Sequence, residues 1–533
     1  MKEAGNNSYQ SILVDKEACI GCINCIKRCP TKAIRVMDGK AQIDSSKCIN
    51  CGDCVLVCQK RAMHPNFDGI DIINNFKYKV ALPASSFFGQ FRNADDVDKI
   101  LNSLLYIGFD DVFEAARGDD ILSGIVKKAL AEGKLAKPLI SAACPACVEL
   151  ILMCFHNLKN NLVPFVPASH IAAKLAREEA VRKTGLAPED IGVFFISPCP
   201  AHASAIKTDL YKSGCKIDGV LSVREVSLKV MNLKFDGVEV KTRFKAGTTG
   251  IRCAVTGGEV KNVGSSRALA VDGMENVISV LKELEDGKHP ELEYVELNAC
   301  PSGCVGGAMN LENAFFAKST IMKLRREVIK ERENTTDKAD KPLDFYIRPE
   351  PWQVNNAYYQ LDEDFTQAFI KMRKLEEVRQ QLPGLDCGIC GAPSCKAFAE
   401  DVAKGRVSIT RCIKFGNIDK KGGGAMTVSE MIEKLGLEVF NLSDGGAVIE
   451  DYCASDLFSY VISKVKEKCC WLTIMSNVNI TAVAKLSEMS AVVLCDGVRP
   501  DENLINKARQ QEITILGSKL PIFETCVALS KII

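Results

Sequence analysis

No stretch of the chain approaches the roughly 18 consecutive apolar residues that a membrane-spanning helix needs. The first ten residues, MKEAGNNSYQ, hold no apolar segment of the kind a secretory leader has. Charge of one sign is missing as well: 68 basic side chains face 67 acidic ones, for a formal +1. No electrostatic footprint for nucleic acid or an anionic membrane is left by that balance, and a cytoplasmic protein is expected. What is abundant is cysteine, 25 in 533 residues. In a reducing compartment clustered cysteines are far more often metal ligands than disulfides. The length exceeds what one core supports and points to three or more domains.

Cys19, Cys22, Cys25 and Cys29, followed by Pro30, read C-x2-C-x2-C-x3-C-P, and Cys48, Cys51, Cys54 and Cys58 repeat the spacing with Gln59 after them. This is the bacterial two-cluster ferredoxin pattern, in which the fourth cysteine of each run ligates the other cluster. One 4Fe-4S cluster is therefore assigned to Cys19, Cys22, Cys25 and Cys58, and a second to Cys48, Cys51, Cys54 and Cys29. Zinc is the alternative, but zinc modules favour two separated pairs over triplets with a crossing ligand. Low-potential electron relay is the role such clusters imply.

From about Phe76 to Leu324, β-rich runs (YKVALPA, KPLISAA, IGVFFISP, DGVLSV) alternate with amphipathic stretches (DVDKILNSLLYIGF, HIAAKLAREEAVRK), an α/β texture. Cys144 and Cys199 each follow a strand-like run, at the carboxyl ends where α/β sheets build sites. Cys300 and Cys304 sit in LNACPSGCVGG. A C-x3-C turn puts two thiolates on one metal centre or lets one thiolate bridge two. Gly306 and Gly307 would let the backbone approach what is bound, free of β-carbon clashes. Four thiolates in three loops suffice for one more cubane.

VALPA near Val80, GFDDVFEAARGDD from Gly108, the three cysteine loops in this order, VLSVRE from Val220 and TGG from Thr256 together resemble the catalytic core of the iron-only (FeFe) hydrogenases. The resemblance implies a two-lobed core with a cluster between the lobes. It implies that Cys144, Cys199, Cys300 and Cys304 hold the 4Fe-4S part of an H-cluster, and that Cys304 bridges to a di-iron unit carrying CO, cyanide and a dithiolate amine. Pro83, Ser85, Pro198, Gly306 and Gly307 would line that cofactor. Reversible hydrogen activation (H2 = 2 H+ + 2 e-), a ferredoxin or other redox or signalling partner, and maturation factors follow from the same likeness.

Departures from the pattern matter as much. Catalytic members resemble T-S-C-C-P at the first loop, and the proton-passing cysteine is replaced here by Ala143. The carboxylates that continue the proton path would fall near the apolar Ile125 and Val126. In the second loop His202 stands where a lysine would donate to cyanide, and Ser197 where a methionine would pack against iron. Asn298 replaces the corresponding methionine of the third loop, a polar group that could move the redox poise of the cluster. His202 could donate to a cyanide or relay protons, or simply pack in its loop. Cys147, where the resemblance would place a tryptophan, is either a redox or proton group or a small buried hydrophobe. A core that keeps its ligands and loses its relay should be slow, since such relays contribute about 10² to 10⁴ in rate.

Near Glu331 the charged stretch ERENTTDKADKP reads as a linker. Cys387, Cys390, Cys395 and Cys412 form C-x2-C-x4-C-x16-C; the run resembles a small 4Fe-4S domain, with zinc the alternative. It would give electrons an exit distinct from the ferredoxin-like one. Beyond the loop KKGGGAM, α/β alternation resumes over TVSEMIEKLG, SDLFSYVISKVKE, WLTIMS, NITAVAKLSEM, AVVLCD, DENLINKARQQ, ITILGS and IFETCVALSKI. This region is similar to a DRTGG-type domain, the motif surviving in part as Ser443-Asp444-Gly445-Gly446. Cys453, Cys469, Cys470, Cys495 and Cys526 lack ligand spacing and read as core.

The expected fold is multidomain α/β: a two-cluster ferredoxin-like α+β module (1–74), the hydrogenase-like core (75–330), a linker (331–362), a small mostly helical Fe-S domain (363–420) and a C-terminal α/β domain (421–533), with homodimerisation through the last. Three functions fit the pattern. A slow hydrogen or redox sensor with an H-cluster and three further 4Fe-4S clusters leads. An ordinary ferredoxin-linked hydrogenase with another proton route comes next. An iron-sulfur assembly or scaffold protein that never holds the di-iron unit is the third.

Overall fold

The computed structural model describes residues 9–92, 96–233, 237–241, 243–331, 342–362, 364–414, 426–456, 458, 461, 465, 467–530 and 532. The chain divides into two compact units, residues 1–415 and 416–533. Most of the charged stretch ERENTTDKADKP (332–341), the glycines of KKGGGAM and much of the expected helix SDLFSYVISKVKE lie outside the described residues.

The first unit opens with two small repeats: β1 (Ile12–Val14), α1 (Asn24–Arg28), β2 (Ile34–Met37), β3 (Lys40–Ile43), α2 (Asp53–Val57) and β4 (Met63–Pro65). β1 pairs with β4 and β2 with β3, both antiparallel. Each helix starts after a left-handed residue, Ile23 at φ 61° and Gly52 at φ 87°, which swings the cysteine triplet around before the chain turns back. Ile12, Ile26, Ile34 and Ala62 pack between the cysteines.

The core follows as β5 (Tyr78–Pro83), α3 (Ser85–Phe88), α4 (Val97–Tyr106), β6 (Asp111–Val112), α5 (Ala116–Glu132), β7 (Leu139–Ile140), α6 (Pro145–Cys154), α7 (Ala168–Thr184), β8 (Ile191–Ser197), α8 (Pro200–Lys207), β9 (Gly219–Ser222), α9 (Val223–Met231), α10 (Thr248–Arg252), α11 (Gly258–Val263), β10 (Ala268–Asp272), α12 (Met274–Glu285), β11 (Tyr294–Asn298) and α13 (Ala314–Glu331). The strands form two parallel sheets, ordered β6-β5-β8-β9 and β10-β11-β7. All seven residues of β8 are buried, as a parallel strand covered on both faces requires. Hence the run IGVFFIS has no polar alternation. The apolar runs read as strands fall on β5, β7, β8 and β9, whereas β10 and β11 carry charged residues and escape the pattern.

Residues 342–362 are not a free linker. Val166 donates its N–H to the Tyr346 carbonyl, Arg348 N–H to Pro164 O, and Asn355 N–H to Leu152 O, each at 2.8–2.9 Å. The Arg348 guanidinium donates to Tyr211 O at 2.6 Å and lies over the Trp352 ring at 3.6 Å. Buried backbone pairing and aromatic packing bind this polar-looking strap to the core. Beyond it, α14 (Phe365–Gln380) packs on α15 (Cys395–Ala403).

In the second unit β12 (Met426–Thr427) leads into α16 (Val428–Leu435), started by a Thr427/Glu430 capping box. There follow β13 (Glu438–Asn441), β14 (Val448–Ile449), β15 (Asp451–Ala454), β16 (Cys469–Thr473), α17 (Asn479–Leu486), β17 (Ala491–Leu494), α18 (Glu502–Gln511), β18 (Ile515–Gly517) and α19 (Ile522–Ser530). The sheet order β13-β18-β17-β16-β15 is parallel except at β13. Leu472, Val493 and Leu516 face one apolar layer and Trp471, Val492 and Ile515 the other. Cys469, Cys470 and Cys495 are buried, Cys453 and Cys526 half-buried. Ser443 to Gly446 form a tight turn: Ser429 N–H donates to Gly445 O at 2.9 Å, and a β-carbon on Gly445 would lie 2.4 Å from the Ser429 hydroxyl.

Candidate metal centres

Cys19, Cys22, Cys25 and Cys58 line one cavity. Cys29, Cys48, Cys51 and Cys54 line a second, so the last cysteine of each run crosses to the other triplet. Cys387, Cys390, Cys395 and Cys412 line a third. Backbone N–H groups of Ala41, Ala33 and Ala62 donate to the sulfurs of Cys19, Cys29 and Cys58 at 3.2–3.4 Å, which favours the thiolate. Among the described residues no three cysteine, histidine or carboxylate groups converge tightly enough for a single ion. Tetrahedral zinc, at about 2.3 Å per bond, would hold its sulfurs about 3.8 Å apart. A cubane spreads four thiolates over four separate irons, and each of these cavities is lined by four cysteines.

Cys144 closes the turn after β7 and caps α6, with Pro145 in the first helical position; Cys199 does the same between β8 and α8, with Pro200. A helix N-terminus at each sulfur favours negative charge. Cys300 to Cys304 follow β11, and the turn between them passes through left-handed Ser302 (φ 68°) and Gly303 (φ 87°). A β-carbon on Gly303 would lie 2.7 Å from Thr256 N. β7 and β11 belong to one sheet and β8 to the other, so the thiols gather where the carboxyl ends of both sheets meet. Burial, then Cys199 and Cys144, push the Cys300 and Cys304 thiols well up, and burial pushes Cys199 up to about 12. Cys144 is brought down to about 7, first of all by a hydrogen bond from Cys147. Cys147 itself is buried in the core.

The loop glycines serve the loops. A β-carbon on Gly306 would lie 2.1 Å from Pro301 O, and one on Gly307 2.5 Å from Pro198 O. Met309 N–H also donates to Pro198 O at 2.9 Å. Pro198 and Gly307 thus lock the second loop against the third, so the approach these glycines permit is of backbone to backbone. Ser197, fully buried, exchanges hydrogen bonds with the Cys199 backbone at 3.1 and 3.3 Å. Pro83 ends β5 and accepts from Ala115 N–H at 3.1 Å. Ser85 and Ser86 open α3, which packs on the Cys304 turn. Their hydroxyls are buried without a partner among the described residues, an arrangement suited to an acceptor supplied by a cofactor. His202 lies edge-on to Phe195 and is held down to about 4 by burial, so it is neutral.

A cavity beside Ala143 is lined also by Asp119, Ser123, Ser141, Cys253, Glu259 and Tyr294. Ile125 is a core residue, and Val126 supplies apolar wall. Tyr294 donates to Glu259 at 2.6 Å; Glu296 accepts from Gly257 and Val260 N–H at 2.9 and 3.1 Å. Asn298 donates its amide to Glu296 at 3.0 Å. Burial raises the pKa of Asp119, Glu259 and Glu296. These acids come from three distant segments, and spacing in the sequence does not connect them. The one local hint is Glu296, a charge inside the apolar strand YVELN.

The centres adjoin. Gly52, beside Cys51, would meet Pro200 and Ala308 at 3.3 and 3.0 Å if it bore a β-carbon. Gly391, beside Cys390, sits with its missing β-carbon 2.0 Å from Val36 O, and Val36 N–H donates to Gly391 O at 2.8 Å. Val36 itself lines the Cys19 cavity. Lys47 pairs with Glu400 at 2.5 Å and Lys32 donates to Ser394 at 3.2 Å; Arg35 pairs with Asp401. The Cys387 domain therefore docks on the ferredoxin-like module.

These cavities define an iron-sulfur, electron-transfer protein of the 4Fe-4S type. More particularly, residues 77–308 match the family model of the iron only hydrogenase large subunit, C-terminal domain. Residues 11–59 match a 4Fe-4S dicluster domain and 382–414 the FeS cluster domain. A component of the ion-translocating oxidoreductase complex of Rhodobacter capsulatus is 43% identical over 42 residues, 8% of this chain and 22% of that protein. Its counterpart in Thiobacillus denitrificans is 36% identical over 63 residues, 12% of this chain and 29% of that one. The chain thus spans less than a third of the length of these relatives. Among solved structures, a variant of the [FeFe]-hydrogenase HydA1 from Chlamydomonas reinhardtii aligns at 14% identity over 52% of this chain and 95% of that chain, TM-score 0.40. The CBS and DRTGG domains of a Clostridium perfringens pyrophosphatase align at 15% identity over 19% of this chain and 45% of that chain, TM-score 0.18. No helix among the described residues is long and apolar enough to cross a membrane.

Proposed function

We propose that this protein is a slow iron-only hydrogenase serving as a hydrogen or redox sensor. The observation that carries the reading is the meeting of Cys144, Cys199, Cys300 and Cys304 at the carboxyl ends of two sheets, with Ala143 in the relay position. These four thiols would hold the cubane of an H-cluster, Cys304 bridging to the di-iron unit. When bound, that group supplies the centre at which hydrogen is split and its two electrons leave. Ser85 and Ser86 would offer buried hydroxyl donors to it, and neutral His202 a single N–H. Gly307 and Pro198 fix the separation of the second and third loops.

Protons need another route past Ala143. Asp119 and Glu259, whose pKa values burial raises, line the cavity at that residue, and Glu259 shares a 2.6 Å hydrogen bond with the Tyr294 hydroxyl. Such a chain can hold a proton at Glu259 and pass it on through Ser141 or Tyr294. It favours the second reading, a ferredoxin-linked hydrogenase of ordinary rate. Turnover of matured, purified protein separates the two: rates equal to those of catalytic relatives would sink the sensor reading. Infrared spectra under hydrogen should show CO and cyanide bands; their absence after co-expression with maturation factors would leave the scaffold reading. Three further cubanes occupy the remaining cysteine sets in this reading. The second unit would act as a DRTGG-like regulatory or dimerising domain.

A further inference from the structure

We infer that the Cys387 domain is the outer end of one series of cubanes, and that the exposed rim of its cavity is the docking surface for a small acidic one-electron carrier protein. This rests on the iron-sulfur part of the proposed function and is independent of the di-iron unit. The inner face of the domain is committed: Gly391 and Arg411 bond both sides of Val36, at 2.8 and 3.0 Å, and Val36 walls the next cavity inward. From there α1, which carries Cys25, packs on α2, which carries Cys54, and Gly52 carries the second cavity against Pro200 and Ala308 of the core. The order is thus Cys387 set, Cys19 set, Cys48 set, core.

The outer face is different. Cys387 is exposed. Ile389 and Ile413 wall its cavity yet are each 60% exposed, and Leu385 beside them is 61% exposed. Three large apolar side chains around an exposed cluster ligand form the kind of patch a partner covers. Its charge says which partner. Lys396 and Lys414 are exposed on this domain. The carboxylate of Asp386 is engaged in accepting from Cys395 N–H at 2.6 Å, and Glu400 and Asp401 are paired at the inner face. An apolar centre with a basic border suits an acidic carrier. In each docking event the reduced carrier loses one electron and the outer cubane gains one, with no proton transferred; two events match the two electrons of one hydrogen molecule.

The competing entry is Cys22, also exposed, with Ile20 at 61%. The test uses the full-chain holoprotein and a reduced, desalted acidic ferredoxin, with bleaching of the cluster absorption followed by stopped flow. Leu385→Glu, outside the cavity wall, should slow bleaching by about tenfold or more, as like charge placed in an interface does, while dithionite reduction and the EPR spin count stay unchanged. Lys396→Glu/Lys414→Glu, which leaves the cavity wall intact, should slow it as well and remove its dependence on salt. An unchanged rate in the lysine variant, or a loss produced by Ile20→Glu instead, overturns the proposal. Missing CO and cyanide bands in the same preparation would count against the hydrogenase reading alone, because bleaching of the 4Fe-4S absorption does not require the di-iron unit.

Discussion

In the proposed function Ala143 would leave a gap in a proton path, and the residues around it offer a way to span it. The cavity beside it brings Glu259, Asp119 and Tyr294 together. If this chain carries the protons, Glu259→Gln should lower hydrogen turnover by about 10² or more, with cluster content by iron analysis unchanged. Ala143→Cys tests the complementary idea. It should raise turnover if the missing thiol limits the rate, and leave it unaltered if the acids already suffice; both outcomes are read by a hydrogen-uptake assay. None of this is legible from spacing. Cysteine ligands of a ferredoxin-like run are neighbours in sequence, so their pattern survives as text. Asp119, Glu259 and Tyr294 meet only because α5, α11 and β11 pack together, and residues near Ile125 and Val126 give no hint of that. Ser197 and Asn298 carry the same lesson: their hydrogen bonds run to Cys199 backbone and Glu296, partners that substitution patterns do not name.

At the level of elements, alternation exposes the buried parallel strands that are uniformly apolar and hides those with a working charge. β8 is plain from IGVFFIS, whereas β11 hides behind Glu296. The strap after Asp344 misleads for the opposite reason. Its composition is polar, yet Tyr346 and Arg348 pair with the backbone of residues 164–166, and Arg348 and Trp352 bind to Tyr211. On α7, His170 is buried against Tyr211 and Ser169, and burial, then His202, brings it down to about 3. The unfolded chain therefore takes up a proton near pH 6.5, before the folded one does. Stability should rise with pH through the window from about 3 to about 6.5, by up to about 1.4 kcal/mol per pH unit, and be fully present above it. Urea midpoints at pH 5 and 7 check this, and His170→Gln should flatten the dependence.

Across the whole molecule the two units have separate cores. The three cysteine sets that line the cavities described above belong to the first, and the described cysteines of the second are dispersed through its apolar layers. A chain ending after Lys414 should therefore keep the iron content and EPR signals of the full protein. Loss of one cluster's worth of iron on that truncation would show that the second unit contributes to a site.

The two bare positions at Gly52 and Gly391 place a demand that folding stability does not measure. Each stands next to a cysteine proposed as a cluster ligand, at a junction between neighbouring cysteine sets, where even one methyl group would push the two sides apart. Packing energy changes gradually with such a displacement, but electron tunnelling falls exponentially with it. A methyl at either position should slow electron transfer across that junction severalfold while the protein still holds its metal.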